Sequence, residues 1–226
     1  MASPFPHVTV VLAMSADGKI ADVARSPARF GSAADNAHLE AQLALADGAL
    51  FGANTLRAYG TTLPLTNPDL IRQRQQRHQP DQPIHIVCST TGQLDRQWRF
   101  FRQPVPRGLI TTATGATAWE TNGLFHHIWQ DPALPQTTWQ ETLPALYEFG
   151  LQRLVVMGGG ALVASLMAHQ RVHELWLTVC PLVLGGREAP TPVEGAGWAA
   201  AIAPPLHLIS AETVDQEVFL HYRVLP

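Results

Sequence analysis

Charge is scarce in this chain. Of its 226 residues 15% are Asp, Glu, Lys or Arg, 18 acids against 15 bases, leaving a formal net charge of −3. No sequence-wide positive field exists to hold a polyanion, so no nucleic acid is expected as a partner. Cysteine is scarcer still. Cys88 and Cys180 each lie in an apolar run, IHIVCST and LWLTVCPL, with no CxxC and no Cys/His set at zinc spacing. They are read as buried thiols, and neither a disulfide framework nor a structural metal is expected. His126 and His127 adjoin in LFHHIW but lack a third ligand at helical spacing, so no metal site is expected there. Long apolar runs are missing too. The first, in MASPFPHVTVVLAMSADG, is too short to span a bilayer and has no basic segment before it, which predicts a soluble, cytoplasmic protein with no membrane partner. Lysine is almost absent: 14 of the 15 bases are arginine, and Lys19 stands alone in SADGKIAD.

What is present is a chain 46% hydrophobic. At this length a single domain buries roughly 70% of its unfolded surface, so one domain over 1–226 can fold without staples. Short apolar runs alternate with amphipathic ones, the pattern of an α/β domain. HVTVVLAMS (7–15), GALFG (48–52), IHIVCST (84–90) and RGLITTAT (107–114) read as buried strands. Residues 32–47 read as a helix capped by Ser32, with Asp35 in its first turn. TTWQETLPALYEFG (137–150) reads as a helix capped by Thr137 or Thr138 and ended by Gly150. Residues 151–170 read as strand, glycine turn and helix, 173–186 as a strand leading to a loop, and 206–225 as a terminal hairpin. The Arg/Gln-rich stretch 72–79 reads as a polar loop or exposed helix outside the core. About seven or eight strands and three helices fit a single mixed, mostly parallel sheet flanked by helices.

Three segments offer chemistry. In VVMGGGALVASL (155–166) three glycines separate a strand from a helix, leaving backbone amides uncovered at the helix start, where a phosphate is held by aligned dipoles and orphan donors. The dinucleotide fingerprint of the doubly wound fold is excluded, because its third glycine would fall at Val163, and no Walker lysine follows. In AMSADGKIAD (13–22) a buried strand ends in Ser15, Asp17, Gly18 and Lys19, a polar edge suited to a substrate or simply a turn with a solvated lysine. In ADGALFGANTLRAYGTTLP (46–64), Gly52 lets backbone approach a ligand while Asn54 and Thr55 offer polar atoms, or the segment is a turn and helix cap.

In this order, SADGKIA, DGALFGANT, VVMGGGALVASL and HELWLTVCPLVLGG resemble the reductase domain of riboflavin biosynthesis, the RibD C-terminal domain family, over residues 7–224. The resemblance implies a dihydrofolate-reductase-like α/β fold and an NADPH-dependent reductase. Its reaction would turn the ribosyl group of a 5-amino-6-(5-phosphoribosylamino)pyrimidine into ribityl by hydride transfer to C1′, with positioning supplying most of the catalysis. It implies a homodimer, a phosphorylated pyrimidine substrate, and no metal or flavin. Cofactor contacts would come from Gly52, Asn54, Thr55 and Leu56, from Ser89, Thr90, Thr111 and Thr112 at the adenosine end, and from Met157, Gly158, Gly159, Gly160, Ala161 and Leu162. The substrate side would comprise Ser15, Lys19, Arg29, Phe30 and Ser32, with Asp17 as the catalytic proton relay and Pro181, Gly185 and Gly186 closing the cleft.

The chain departs from the family pattern at three places. Met157 stands where many members carry glutamate before the triple glycine, Val11 where many carry lysine, and Tyr59-Gly60-Thr61 where many read Asp-Asp-Pro or Asp-Asn-Pro. The H-x-E and P-C-x-x-C signatures of a deaminase half are absent, so no deaminase domain is expected. Two further readings follow from the departures: a reductase of another heterocycle such as a pterin, or an NADPH-binding partner protein without turnover.

Overall fold

The computed structural model describes residues 5–226. In chain order the elements are β1 (His7–Ser15), α1 (Ala33–Leu45), β2 (Gly48–Gly52), α2 (Ala53–Tyr59), α3 (Pro68–Gln76), β3 (Ile84–Cys88), β4 (Arg107–Thr111), α4 (Ala113–Ala116) and β5 (His127–Gln130). They continue with α5 (Thr142–Glu148), β6 (Arg153–Val156), α6 (Gly160–Ala168), β7 (Glu174–Cys180), β8 (Leu206–Val214) and β9 (Glu217–Val224). One sheet runs β5-β4-β3-β2-β6-β1-β7-β9-β8. Its first seven strands are parallel and the terminal hairpin is antiparallel.

Parallel strands joined by helical crossovers are covered on both faces, which is why the strands read as unbroken apolar runs rather than alternating ones. Val10, Leu12, Leu50 and Ile86 pack on one face beneath Leu143, Leu146, Val163 and Leu166 of α5 and α6. Val11 and Ala49 point to the other face under Leu43 and Ala44 of α1, while Phe51, Val87 and Leu109 meet Phe100, Phe101 and Trp119. The expected strands at 7–15 and 48–52, the Ser32 cap and the terminal hairpin are all present.

Several expectations are corrected. The helix expected from Thr137 begins only at Thr142, because the Thr137 hydroxyl donates to Asp131 Oδ2 at 2.6 Å and accepts from the amide of Trp139, pinning residues 131–139 as a loop. The strands expected to reach Thr90 and Thr114 stop at Cys88 and Thr111. β5 and α2 were not resolved by periodicity: the first has four residues, and the second starts on the glycine that ends β2. The basic stretch at 72–79 contributes to the core after all. Arg74 is 1% exposed, and its guanidinium donates to the carbonyls of Ala44, Ala46 and Pro80, satisfying acceptors left open where α1 ends. Cys180 is buried and Cys88 half-buried, and burial pushes both thiols up to about 12.

Candidate functional site

A cavity of about 710 Å³ opens across the C-terminal ends of β1, β2, β3 and β6. Ligands of open α/β sheets gather at this edge, because side chains there leave the core while helices begin. One end of the cavity is built from glycine and hydroxyl residues. β6 runs through Met157, whose amide donates to the Leu50 carbonyl at 3.0 Å, into Gly158 (φ 118°) and Gly159 (φ 31°), backbone shapes that favour glycine. The Gly159 amide donates to Thr55 Oγ1 at 3.0 Å and the Gly52 amide to the Gly158 carbonyl at 3.1 Å, so β2, α2 and the glycine turn form one rigid cradle. At Gly52 an added Cβ would meet nothing within 4 Å, although the residue stands in the cavity wall. A Cβ at Gly160 would collide with the Thr191 carbonyl, so α6 starts in backbone contact with the 190–194 segment.

Gly52, Asn54, Thr55, Ser89, Thr90, Met157, Gly158, Gly159, Gly160, Ala161 and Leu162, which the resemblance assigned to the cofactor, all line this cavity. Leu56, Thr111 and Thr112 do not. Leu56 is fully buried in the Phe51 cluster; Thr111 is fully buried beside the Thr90 carbonyl; and Thr112 spends its hydroxyl capping α4 at the Gly115 amide. These three serve the packing behind the wall.

The expected substrate side needs a larger correction. None of Ser15, Asp17, Lys19, Arg29, Phe30 and Ser32 stands in the cavity wall. Ser15 is fully buried and donates to Asp17 Oδ1 at 2.6 Å, while Asp17 also accepts from the amides of Leu184 and Gly185 at 3.1 and 2.7 Å. The Ser15 hydroxyl and then the Leu184 amide hold the Asp17 carboxyl down to about 2. Lys19 donates to the Ala189 carbonyl at 3.3 Å. The turn is thus tied back to the loop after β7, and Asp17 holds that loop instead of facing the cavity. Ser32 caps α1 and donates, through its amide and its hydroxyl, to the buried Glu217. Pro181, Gly185 and Gly186 are likewise outside the walls, and Pro190 and Glu194 of the same connection stand there instead.

The second end of the cavity is lined by Val11, Leu12, Ile20, Leu39, Tyr59 and Asp35. Tyr59 donates to the Ala28 carbonyl at 2.8 Å, and burial raises its phenol above the usual range. Asp35 sits on the first turn of α1, and burial raises its carboxyl, with the Thr178 hydroxyl opposing and Glu217 adding to the rise. Arg25 pairs with Glu194 at 2.9 Å across the mouth. Sequence reading noticed Asp35 only as a helix-start acid. Leu39, four residues on and therefore on the same helical face, was the available sign that Asp35 looks inward. The three departures meet here: Val11, Met157, Tyr59 and Thr61 all line the cavity. Among the described residues no group of three or more His, Cys, Asp or Glu side chains is disposed to hold a metal ion, and no helix is long and apolar enough to cross a membrane.

Residues 6–220 match the RibD C-terminal domain family. The chain belongs to that family. It is 28% identical over 199 residues to the 2,5-diamino-6-ribosylamino-4(3H)-pyrimidinone 5′-phosphate reductase of Archaeoglobus fulgidus, covering 85% of this chain and 88% of the relative. Among solved structures it superposes on the RibD protein of Acinetobacter baumannii with a TM-score of 0.81 at 16% identity, covering all of this chain but 60% of that one. Dihydrofolate reductase from Enterococcus faecalis superposes at 0.53 and 10% identity, covering 96% of each chain. The dihydrofolate-reductase-like α/β fold is therefore that of this RibD-type domain.

Proposed function

We propose that this RibD-type domain is an NADPH-dependent reductase of riboflavin biosynthesis, converting the ribosyl group of a phosphoribosylamino-pyrimidine to ribityl. The observation that carries this is one cavity with two unlike ends: a glycine and hydroxyl cradle, and an apolar slot holding a carboxylate and a phenol. The cradle fits a dinucleotide. Gly52 leaves space that a methyl would fill, and α6 presents its first amides beside the Gly158-Gly159 turn, where a pyrophosphate is stabilised by backbone donors. When bound, the nicotinamide supplies the hydride.

The protein's own part is positioning. Thr55 locks the glycine turn through the Gly159 amide, Ser89 is held by the Gly92 amide at 3.1 Å, and Thr90 and Thr91 present hydroxyls toward an adenosine. Val11, Leu12, Ala13 and Met157 give the wall an apolar stretch, against which a bound nicotinamide would be shielded from water. Asp17 holds the loop at 184–185, and Thr111 and Thr112 support the Thr90 backbone. Homodimerisation and a cytoplasmic location belong to the same reading. The outer strand β8 presents Leu206, Leu208 and Ile209 at its exposed surface, a face suited to a second copy.

The test is a fluorescence titration of NADPH onto the purified chain, then the loss of NADPH absorbance on adding the phosphoribosylamino-pyrimidine. Binding followed by oxidation supports the reductase. Binding without oxidation favours the partner-protein reading, which Val11, Met157 and Tyr59 in the cavity wall motivate. Absence of binding refutes both.

A further inference from the structure

Resting on the reductase reading, we infer that Glu194 is a built-in competitor of the ligand's phosphate. In the free chain its carboxylate holds the Arg25 guanidinium at the start of α6, and an incoming phosphate takes that guanidinium over. The pair is a clasp on the cavity mouth that opens by exchanging one anion for another.

The place combines two devices that recognise a phosphate, and a carboxylate stands between them. Arg25 and Arg57 are the arginines of the cavity wall among the described residues. Arg57 donates to Asn54 Oδ1 and to the Gln93 carbonyl, both uncharged. Arg25 donates from Nη2 to Glu194 Oε1 at 2.9 Å, the one hydrogen bond that its side chain makes among the described residues. Most of the five donors of its guanidinium are therefore free. The second carboxylate oxygen of Glu194 lies against the first turn of α6, since a Cβ on Gly160 would stand 3.2 Å from Oε2 and 2.8 Å from Cγ. In a helix the Cβ leans toward the N-terminus, so this oxygen sits at the positive end of α6. No side chain caps that helix. A guanidinium fork beside open helix amides is a phosphate site, and Glu194 occupies it as a phosphate would.

Backbone aims both partners. The Glu194 amide donates to the Gly160 carbonyl at 3.2 Å. Arg25 lies in a turn where its own amide donates to the Asp22 carbonyl and the Ser26 amide to Asp22 Oδ1, each at 2.9 Å, and its φ of 56° is a shape that the turn must hold. The two segments are joined without the pair, by the Ile20 amide on the Pro190 carbonyl at 2.9 Å and by Lys19 on the Ala189 carbonyl. With the two side chains 53% and 22% exposed, the ion pair contributes little to stability, so it opens without loosening the fold. A phosphate offers Arg25 a bidentate partner, whereas Glu194 engages it through one bond. A free phosphate ion must displace Glu194 with no other contact to help. A dinucleotide brings its rings as well, so the competitor favours the whole ligand over its fragments. The position at α6 makes the dinucleotide's diphosphate the first source of that phosphate, and a phosphorylated substrate the second.

The test is fluorescence titration of NADPH onto the wild type, E194Q, R25Q and R25K at low salt. E194Q should bind about tenfold tighter, the size of one like-charge contact at a partly exposed mouth, and R25Q at least about tenfold weaker. R25K keeps the charge and should stay within about threefold of the wild type. Added salt should shrink both shifts, and each variant should melt within about 4 °C of the wild type. The opposite signs are decisive, because a pair that merely braces the loop would weaken binding in both variants, and that result overturns the inference. If NADPH affinity is unchanged in all, KM is compared for the phosphoribosylamino-pyrimidine and its dephosphorylated form. Opposite shifts confined to the phosphorylated compound assign the exchange to the substrate's phosphate; no shift with either compound overturns it. If the wild type binds no NADPH, the reductase reading fails separately. Calorimetry with inorganic pyrophosphate then decides the inference: tighter binding in E194Q and weaker in R25Q supports it, and equal binding overturns it.

Discussion

Replacing Gly52 with aspartate should strengthen the fold and weaken the ligand, which separates the two roles a glycine can have. Gly52 is the residue before α2, with φ −76° and ψ 154°, so its backbone is open to any L-residue, and an added Cβ meets nothing within 4 Å. No side chain caps α2 at present. Aspartate is among the best residues at this position, both as an acceptor for first-turn amides and as an anion at the positive end of the helix, worth about 0.5–1 kcal/mol together. For a chain of this size that raises Tm by about 1–4 °C. The same carboxylate would stand in the cavity wall facing a dinucleotide's phosphates. At about 5 Å and an effective dielectric of about 20, one pair of like charges costs roughly 3 kcal/mol, a loss of about a hundredfold in affinity. The assay is calorimetric melting of the free protein beside fluorescence titration of NADPH, at low and at high salt, since added salt should return part of the affinity. A stable variant that binds NADPH as the wild type does would show that no phosphate passes over Gly52. A variant that melts well below the wild type would show instead that the glycine is needed by the fold.

Other perturbations test the supporting structure. Gly158→Ala places a side chain at φ 118°, where space is not the obstacle because the nearest atom, Leu12 Cδ2, lies 3.5 Å away. The backbone cost of roughly 1–3 kcal/mol should lower Tm by roughly 2–12 °C, and an unchanged melt would remove the strain argument. His85 is buried and uncharged, held down to about 3 by burial and then by Arg74, while an unfolded histidine takes a proton below about 6.5. Stability is therefore complete above that pH and falls by up to about 1.4 kcal/mol per pH unit as the pH drops toward 3. Urea melts across this range should show the slope, reduced in His85→Gln, and an equal slope in both proteins would assign the effect to other groups. Asp17→Asn should loosen residues 183–186, read by hydrogen exchange, while leaving NADPH affinity and turnover nearly unchanged. A collapse in turnover with the loop still protected would return Asp17 to the chemistry.

The glycine and hydroxyl end of the cavity was legible because its signals are local. A glycine turn needs glycine in consecutive positions, a strand that ends on Gly52 announces itself, and the hydroxyl of Ser89 stands at the end of an apolar run. The opposite end was not, because its residues arrive by tertiary routes. Asp17, Lys19 and Ser15 looked like a polar edge in sequence, yet the chain folds that edge onto the loop after β7, where two backbone amides take up the Asp17 carboxylate. Arg74 was misjudged for a related reason: composition assigns an arginine-rich segment to solvent, whereas the open carbonyls at the end of α1 demand a donor.

The contrast between the two ends also bears on how a site of this kind changes its substrate. The glycine turn consists of backbone geometry, so Gly158 and Gly160 cannot vary without cost to the fold, the first by its φ and the second by contact, whereas Gly52 beside them can. The other end consists of side chains from β1, α1, α2 and the residue after β6, and there the chain carries Val11, Tyr59 and Met157 beside the carboxylate of Asp35. Such a cavity can change its ligand by exchanging side chains at the second end while the glycine turn stays fixed, and it takes polar exchanges to do so sharply, because an extra or missing methylene against an apolar wall changes affinity only modestly.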